Sequence, residues 1–334
     1  MPKQKVFLTG STGFLGSHLA EALLSAGYNL TVLVRPASLE KLKSFSWSHK
    51  VQVIEGEISD ISLLLEVMAK VDIVIHAAAL VSFMPADADS LVRTNVEATA
   101  YLVNAAIETG IKQFIFISSI AAITGNRGDL VLDHNSTTDP NMLTSNYGKS
   151  KYLAELEVWR GNEEGLPITI FNPSLILGNG NLEGTSSPSI FKYVTDERPF
   201  YTQGTINYVD VNDVVKALVE SVGNENAIGK RYVLNSGTVT NQAFFTQAAK
   251  GLGKKAPHIA LKPWQTNTLA KLSFFWPPFL KRPKFLSPET LSNAHRQTKF
   301  DGSLAEREFG FTYQTLNETL GRILPIIDKK IGGR

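Results

Sequence analysis

Short apolar runs alternate with longer amphipathic segments along the first half of the chain. Each run has four or five residues, mostly Val, Ile, Leu or Phe. Runs this short and this apolar are typical of strands that are buried on both faces of a parallel sheet. We therefore predict strands at 6–9, 31–34, 51–54, 71–75, 114–117 and 168–171.

The segments between these runs have the periodicity and the end signals of helices. The predicted helices cover 14–25, 61–70, 90–109 and 147–164. Strands and helices that alternate with short connections indicate a doubly wound α/β sheet. After about residue 171 this rhythm weakens, and Gly, Asn, Ser and Pro become frequent. We predict a sheet domain over 1–171, completed by parts of 200–235, and a smaller lobe mainly over 172–334.

The composition is that of a globular protein. The 334 residues include 33 Lys and Arg against 31 Asp and Glu, and 43% of the chain is hydrophobic. A chain of this size buries a large core, which excludes a disordered or fibrous protein. The absence of cysteine excludes a thiolate nucleophile, an iron–sulfur cluster and a Cys-based zinc site, so no metal is predicted. We expect a cytoplasmic location without a signal peptide or a membrane-spanning helix.

Positive charge is concentrated in one part of the chain. Residues 226–288 contain ten Lys and Arg and no Asp or Glu, together with Trp264 and a cluster of aromatic residues at 274–279. Three interpretations stay open: a solvated basic face over an aromatic core, a lid over an apolar substrate, or a peripheral membrane contact through 262–284. Nucleic acid is not an expected partner, because the excess charge is local and no recognition motif accompanies it.

Three glycines lie between the first predicted strand and the first predicted helix. Gly10 permits a tight turn, Gly13 leaves room for a pyrophosphate at the backbone amides, and Gly16 lets the helix lie close to the strand. The positive end of the helix would face the phosphates. The pattern therefore predicts a dinucleotide site in the turn, formed by Gly10, Thr12, Gly13, Phe14, Leu15 and Gly16.

The end of the second predicted strand indicates which dinucleotide binds. An NAD site usually has Asp or Glu there, to bind the ribose 2′-hydroxyl, whereas this chain has Arg35. A guanidinium binds a 2′-phosphate, so NADP is favoured and NAD stays possible. The residues that follow the third and fourth strands are further predicted cofactor contacts: Glu57, Ile58, Ala77, Ala78 and Ala79.

A candidate catalytic group opens the helix over 147–164. Tyr147 and Lys151 are four residues apart and so share one helix face. An adjacent ammonium favours the phenolate, and we expect it to bring the pKa of Tyr147 nearer to neutrality. Ser119, at the end of the fifth strand, is placed to hydrogen-bond a substrate carbonyl. Lys151 is also expected to contact the nicotinamide ribose.

In this order, these residues resemble the extended short-chain dehydrogenase/reductase family. The resemblance covers almost the whole chain and includes Asn95-Val96, Asn172-Pro173-Ser174, the segment 208–214 and Phe300-Asp301-Gly302-Ser303. It implies a Rossmann-type fold, with the C-terminal lobe binding substrate. It further implies that Tyr147 is the acid/base, that Lys151 and Ser119 assist it and that Asn95 supports the site. Asn172, Pro173 and Ser174 are then expected beside the cofactor.

The resemblance is greatest to the branch of dihydroflavonol-4-reductases and hydroxysteroid dehydrogenases. It implies an NADP-dependent enzyme that reduces a carbonyl, or oxidises the alcohol, of a hydrophobic small molecule. Ile120 and Ala121 follow Ser119 where sugar-nucleotide dehydratases have an acidic pair, which disfavours dehydration. A nucleotide-sugar epimerase that retains NAD stays the alternative, and a regulator that has lost catalysis is a third hypothesis. The family often forms dimers, so a homodimer through the helices 90–109 and 147–164 is an expectation.

Overall fold

The computed structural model describes residues 4–126, 128–180, 189–273, 291 and 294–332. In chain order its strands are β1 (Lys5–Thr9), β2 (Asn29–Val34), β3 (Gln52–Glu55), β4 (Ile73–His76), β5 (Gln113–Ile117), β6 (Val131–Leu132), β7 (Ile168–Pro173), β8 (Leu175–Leu177), β9 (Phe200–Thr202), β10 (Thr205–Asp210), β11 (Lys230–Leu234), β12 (Gly237–Thr240), β13 (Ile259–Leu261) and β14 (Lys299–Phe300).

The α-helices within the described ranges are α1 (Phe14–Ser25), α2 (Leu39–Lys43), α3 (Ile61–Met68), α4 (Ala88–Leu91), α5 (Ala98–Glu108), α6 (Asn146–Glu163), α7 (Ile190–Thr195), α8 (Val211–Ser221), α9 (Asn241–Gly251), α10 (Pro263–Ser273), α11 (Ser303–Phe309) and α12 (Leu316–Gly332). A π-helical stretch, Val92–Glu97, joins α4 to α5. The predicted helix over 90–109 is therefore not regular throughout, and its irregular part contains Asn95.

Seven parallel strands form the central sheet, in the order β11-β7-β5-β4-β1-β2-β3. The six apolar runs are all strands of this sheet, with ends that differ by one or two residues from the prediction. Successive side chains of a strand point to opposite faces. Accordingly, Val6 and Leu8 of β1 belong to one apolar cluster with α1 and α8, whereas Phe7 belongs to a second cluster with α3, α5 and α6. Helices on both faces confirm the doubly wound α/β fold.

A smaller sheet follows the carboxyl end of β7. It has the order β12-β10-β8, and β8 begins two residues after β7 ends. A third apolar cluster lies between this sheet, α9 and α12. The buried carboxylate of Asp210 accepts a hydrogen bond from Arg322 of α12 at 2.6 Å, which joins the end of the chain to β10. The domain limits at residues 171 and 172 stay a prediction.

The basic segment is described only in part. Its aromatic cluster at 274–279 and its cations Lys281, Arg282 and Lys284 lie outside the described residues. Trp264, at the start of α10, is 65% exposed and so is not part of an aromatic core. Across the described ranges, no helix is long and apolar enough to cross a membrane.

Candidate active site

The three glycines of the β1–α1 turn lie in different surroundings. Gly10 has a φ of +77°, and an added Cβ there would lie 2.5 Å from the backbone nitrogen of Ala78. An added Cβ on Gly16 would lie 2.1 Å from the Gly10 carbonyl oxygen, because α1 packs directly on the turn. Gly13 is exposed, and its added Cβ would meet only that oxygen, at 3.1 Å. The turn is therefore crowded on its inner side and open at Gly13, which fits a bound pyrophosphate.

The other predicted cofactor residues of the first four strands lie along the same edge of the sheet. They follow the carboxyl ends of neighbouring parallel strands: Arg35 follows β2, Glu57 and Ile58 follow β3, and Ala77, Ala78 and Ala79 follow β4. Arg35 and Glu57 are exposed, and Ile58 is half-buried. Thr12, Phe14 and Leu15 are half-buried around the start of α1. This edge is where doubly wound sheets bind their ligands.

A buried histidine connects the cofactor edge to the helix that carries Asn95. The Nδ1 atom of His76 lies 2.7 Å from the Thr9 hydroxyl, and its Nε2 atom lies 3.1 Å from the Thr99 hydroxyl. Thr99 donates its own proton to the Asn95 carbonyl oxygen, so His76 donates from Nε2 and accepts at Nδ1. Burial, together with the charge of Lys151, lowers the pKa of His76 to about 3. His76 is therefore neutral and structural.

The first turn of α6 brings Tyr147 to Ser119. Ser145 caps the helix by accepting a hydrogen bond from the Gly148 amide at 3.0 Å. An added Cβ on Gly148 would lie 2.6 Å from the Ala121 carbonyl oxygen, so glycine permits α6 to approach the turn that follows β5. Tyr147 is thereby brought close enough to Ser119 for the Ser119 hydroxyl to interact with the phenol.

The ionisation of Tyr147 differs from the expected direction. Burial raises the pKa of Tyr147 to about 12, and the hydrogen bond to Ser119 opposes this only in part. Lys151 is buried one turn later, but its ammonium donates to the Ile117 carbonyl oxygen at 2.7 Å and lies 4.3 Å from the centre of the Phe116 ring. Burial lowers the pKa of Lys151 to about 7, and Glu155 opposes that shift. Tyr147 is thus a protonated phenol at neutral pH.

Asn95 is buried in the π-helical stretch, behind the site. Its amide group donates to the Leu80 carbonyl oxygen at 3.0 Å and to the Ser150 hydroxyl at 2.9 Å, and its oxygen accepts from the Leu80 amide. The side chain is therefore occupied by protein groups. It joins the loop after β4 to α6, next to the turn that carries Tyr147 and Lys151.

Two charged residues of the site were missed in the sequence analysis. Glu155 is 3% exposed and accepts a short hydrogen bond from the Asn172 side chain, and Arg231 of β11 lies 3.7 Å from the other carboxylate oxygen. Asn172 and Pro173 end β7, and Ser174 follows, all of them buried. The spacing of Tyr147, Lys151 and Glu155, each four residues from the last, was a signal that could have identified Glu155.

A cavity of about 220 Å³ is lined by Ile120, Ala121 and Ser145, which lie next to Ser119 and Tyr147 in the chain. Half of its described lining residues are apolar, among them Phe83, whose ring centre lies 5.7 Å from that of Tyr147. Arg296 is the one charged residue among the described residues of the lining. Its complete described lining is Phe83, Ile120, Ala121, Ile123, Leu143, Thr144, Ser145, Thr205, Asn207, Arg296, Thr298 and Phe300.

Comparisons with known proteins agree with this geometry. The model of the NAD dependent epimerase/dehydratase family matches residues 6–237. The chain is 28% identical over 323 residues to a Synechocystis sp. protein provisionally named dihydroflavonol 4-reductase, covering 94% of this chain and 92% of that one. It is 27% identical over 289 residues to UDP-glucose 4-epimerase of Vibrio cholerae, covering 81% and 83%. The crystal structure of gox2253 matches with a TM-score of 0.83 at 26% identity, covering 99% of both chains.

Proposed function

Because the chain belongs to the NAD dependent epimerase/dehydratase family, and is thus an NAD(P)-dependent enzyme of the extended short-chain dehydrogenase/reductase type, we propose that it reduces the carbonyl group of a hydrophobic small molecule with NADP. The same site would oxidise the corresponding alcohol in reverse. The observation that carries this proposal is that Ser119 and Tyr147 lie close enough to interact, next in the chain to residues that line a partly apolar cavity.

The chain offers a matching place for each part of the dinucleotide. The open turn at Gly13 holds the pyrophosphate, Arg35 binds the 2′-phosphate, and Lys151 holds the nicotinamide ribose. Glu57 and Ile58 border the adenine, the three alanines after β4 lie along the cofactor, and Asn172, Pro173 and Ser174 lie beside its nicotinamide end. When bound, the coenzyme supplies a hydride to the carbonyl carbon.

The protein's own groups handle the proton. Ser119 donates a hydrogen bond to the substrate oxygen and holds it against Tyr147. Tyr147 Oη then gives its proton to that oxygen, which is favourable because the alkoxide that forms on reduction is a stronger base than a phenolate. The ammonium of Lys151 stabilises the phenolate that remains. Asn95 acts from behind, by fixing α6 to the loop after β4.

The test starts with the purified protein and its nucleotide content after denaturation. We expect no retained nucleotide, and tighter binding of NADPH than of NADH in a fluorescence titration. A panel of aromatic and alicyclic aldehydes and ketones is then assayed for NADPH oxidation. Tyr147→Phe should keep NADPH affinity and lose at least about 100-fold in kcat. Equal turnover by Tyr147→Phe and wild type would contradict the assigned proton donor.

A nucleotide-sugar epimerase is the second candidate, favoured by one observation. Arg296 supplies positive charge to a cavity that has no acidic residue in its described lining, and a guanidinium binds a diphosphate well. Such an enzyme keeps its coenzyme through the cycle. Tightly retained NAD, with interconversion of a UDP-hexose and no net change in NADH absorbance, would replace the reductase proposal with this one.

We also propose an anionic membrane surface as a partner of the smaller lobe. Phe200 and Ile259 are neighbours in the β9–β13 pair, 43% and 42% exposed, and Trp264 follows. Lys255 and Lys262 are exposed near them. Aromatic groups with adjacent lysines suit the interface of anionic lipids. In flotation with phosphatidylglycerol vesicles at low salt, the wild-type protein should rise with the vesicles. Trp264→Ser should reduce the bound fraction. Leu130→Ser is the control, because it changes a 78% exposed residue elsewhere, and it should leave the bound fraction unchanged.

A homodimer through α6 is a further part of the proposal. Leu153 and Leu156, three residues apart on this helix, are 42% and 44% exposed and so present apolar surface on one face of it. Light scattering after gel filtration should give twice the monomer mass, and Leu153→Glu should give the monomer mass. A wild type of monomer mass would end this part of the proposal.

A further inference from the structure

One buried charge beside the active site takes no part in the steps proposed above. Glu155 lies on α6, one turn after Lys151, and its side chain is 4% exposed. Burial raises the pKa of Glu155, and nearby hydrogen-bond donors and cations oppose that rise. A carboxylate in such a place is costly unless it is paired and hydrogen-bonded. Its partners therefore indicate what it does.

The first partner connects Glu155 to the substrate-binding serine. The side-chain nitrogen of Asn172 donates both to a Glu155 oxygen and to the Ser119 carbonyl oxygen, the second bond at 2.9 Å. The carboxylate therefore orients the Asn172 amide, and this amide holds the backbone of Ser119. A change at Glu155 would be transmitted to Ser119 through two hydrogen bonds.

The second partner fixes the carboxylate from the opposite side. Arg231 of β11 lies 3.7 Å from the other Glu155 oxygen, and its side chain is 13% exposed. Arg231 is itself held by hydrogen bonds to the His134 carbonyl oxygen at 2.8 and 3.0 Å, and to that of Ser136. Glu155 is thus fixed between β7 and β11, with little freedom to move.

The third group is the ammonium of Lys151, which lies one turn before Glu155 on α6 and is close enough to feel its charge. Lys151 and Glu155 of α6 are both buried, and Arg231 of β11 lies on the far side of Glu155. His76 lies near Lys151 as well, but burial and the Lys151 charge keep its imidazole neutral. Among the described residues, Glu155 is the acid whose charge acts on Lys151. Without it, the buried Lys151 would lose the negative charge that supports its protonation.

We propose that Glu155 is a positioning residue of this active site: its carboxylate keeps the Lys151 ammonium charged and, through Asn172, fixes Ser119 beside Tyr147. The role is assigned within the proposed hydride-transfer function and rests on it. Glu155 touches neither substrate nor coenzyme in this scheme. It acts through three other residues.

The structure also provides access for a chemical test. Glu155 and Arg231 line a second cavity of about 560 Å³, next to Tyr152 and Trp159 of α6. If Glu155 is shortened to alanine, formate is small enough to enter from this cavity and to replace the carboxylate. Recovery with formate would show that the negative charge matters, and not only the packing of the side chain.

The charge state of Lys151 is measured directly, without a substrate. Protein labelled with ¹³C at the lysine ε-carbon is titrated by NMR, and Lys151→Arg identifies the signal. We expect a wild-type midpoint of about 7 for Lys151, far below that of exposed lysines. Glu155→Gln should lower this midpoint by at least about one pH unit, which is a tenfold smaller ratio of charged to neutral amine at a given pH. Glu157→Gln is the matched control, because Glu157 lies on the same helix and pairs with Arg160.

The outcomes separate the inference from the proposed function. An unchanged midpoint in folded Glu155→Gln would overturn the role of Glu155. If that variant does not fold, two others take its place. In Glu155→Ala, added formate should raise the Lys151 midpoint. In the double variant Glu155→Gln/Arg231→Gln, the Lys151 midpoint should lie below that of the wild type, and the opposite result in either variant would count against the proposal. A wild type that reduces no carbonyl would reject the proposed function, whereas the NMR titration would still decide whether Glu155 controls Lys151.

Discussion

Two alanine substitutions in the β1–α1 turn distinguish a ligand role from a folding role. Gly13 has φ −76° and ψ 175°, values that alanine also adopts, and its added Cβ meets only one carbonyl oxygen, at 3.1 Å. Alanine is a poorer N-cap than glycine, so Gly13→Ala should lower the free energy of unfolding by about 1 kcal/mol. The fold should therefore tolerate this change.

Gly16→Ala, in contrast, should destabilise the fold. Its Cβ would lie 2.1 Å from the carbonyl oxygen and 2.7 Å from the carbonyl carbon of Gly10, and both are backbone atoms that move only if α1 shifts. Overpacking of this kind should lower the free energy of unfolding by about 3 kcal/mol. Urea denaturation monitored by tryptophan fluorescence measures the free energy of unfolding for both variants.

The same variants are then titrated with NADPH. A methyl group on Gly13 occupies the open side of the turn and should remove about two charge-assisted hydrogen bonds to phosphate, at about 1.5 kcal/mol each. The sum, about 3 kcal/mol, corresponds to about 100-fold weaker binding. If Gly13→Ala binds NADPH as tightly as the wild type, the turn is not the phosphate cradle. If it is as unstable as Gly16→Ala, the distinction between the two glycines is wrong.

Three further results are expected. Arg35→Ala should weaken NADPH binding about tenfold or more and leave NADH binding unchanged, because only NADPH has the 2′-phosphate; a parallel loss for both coenzymes would contradict this. The kcat/KM for carbonyl reduction should fall as the pH rises through about 7, because Lys151 then loses the proton that its ammonium needs to stabilise the phenolate; a flat profile from pH 6 to 9 would exclude that role. Asp210→Asn should lower the free energy of unfolding by about 3 kcal/mol in urea, since it leaves Arg322 without its buried partner, whereas Asp129→Asn, at an exposed turn, should change it little.

The sheet and its cofactor edge could be predicted because their signals are local. Each apolar run is a strand, and the glycine turn lies between a strand and a helix as predicted. The parallel arrangement then brings the ends of separate strands to one edge without any long-range information. The closeness of Ser119 and Tyr147 also follows from this logic, since one lies just after β5 and the other in the first turn of α6.

The charge network behind the site could not be predicted in the same way. Glu155 and Arg231 are far apart in the chain and meet only because β11 pairs with β7. The pKa of Tyr147 was expected to fall because Lys151 is one turn away, but spacing gives no information on burial. In the fold, Lys151 donates to the Ile117 carbonyl oxygen, and burial controls the ionisation of the phenol.

The polar face of α6 gives a physical reason to treat this network as functional. Lys151 and Glu155 share the buried side of the helix with Ala154 and Val158, which pack among apolar side chains in the usual way. Apolar residues in place of a buried ion pair are often neutral or stabilising, so stability alone does not require charges there. Positions where the fold buries charged or polar residues, against their usual preference for water, are commonly part of functional sites. Lys151 lies one turn from Tyr147 and Glu155 lies one turn further on, so the buried ammonium stands between the proposed proton donor and the carboxylate that supports its charge.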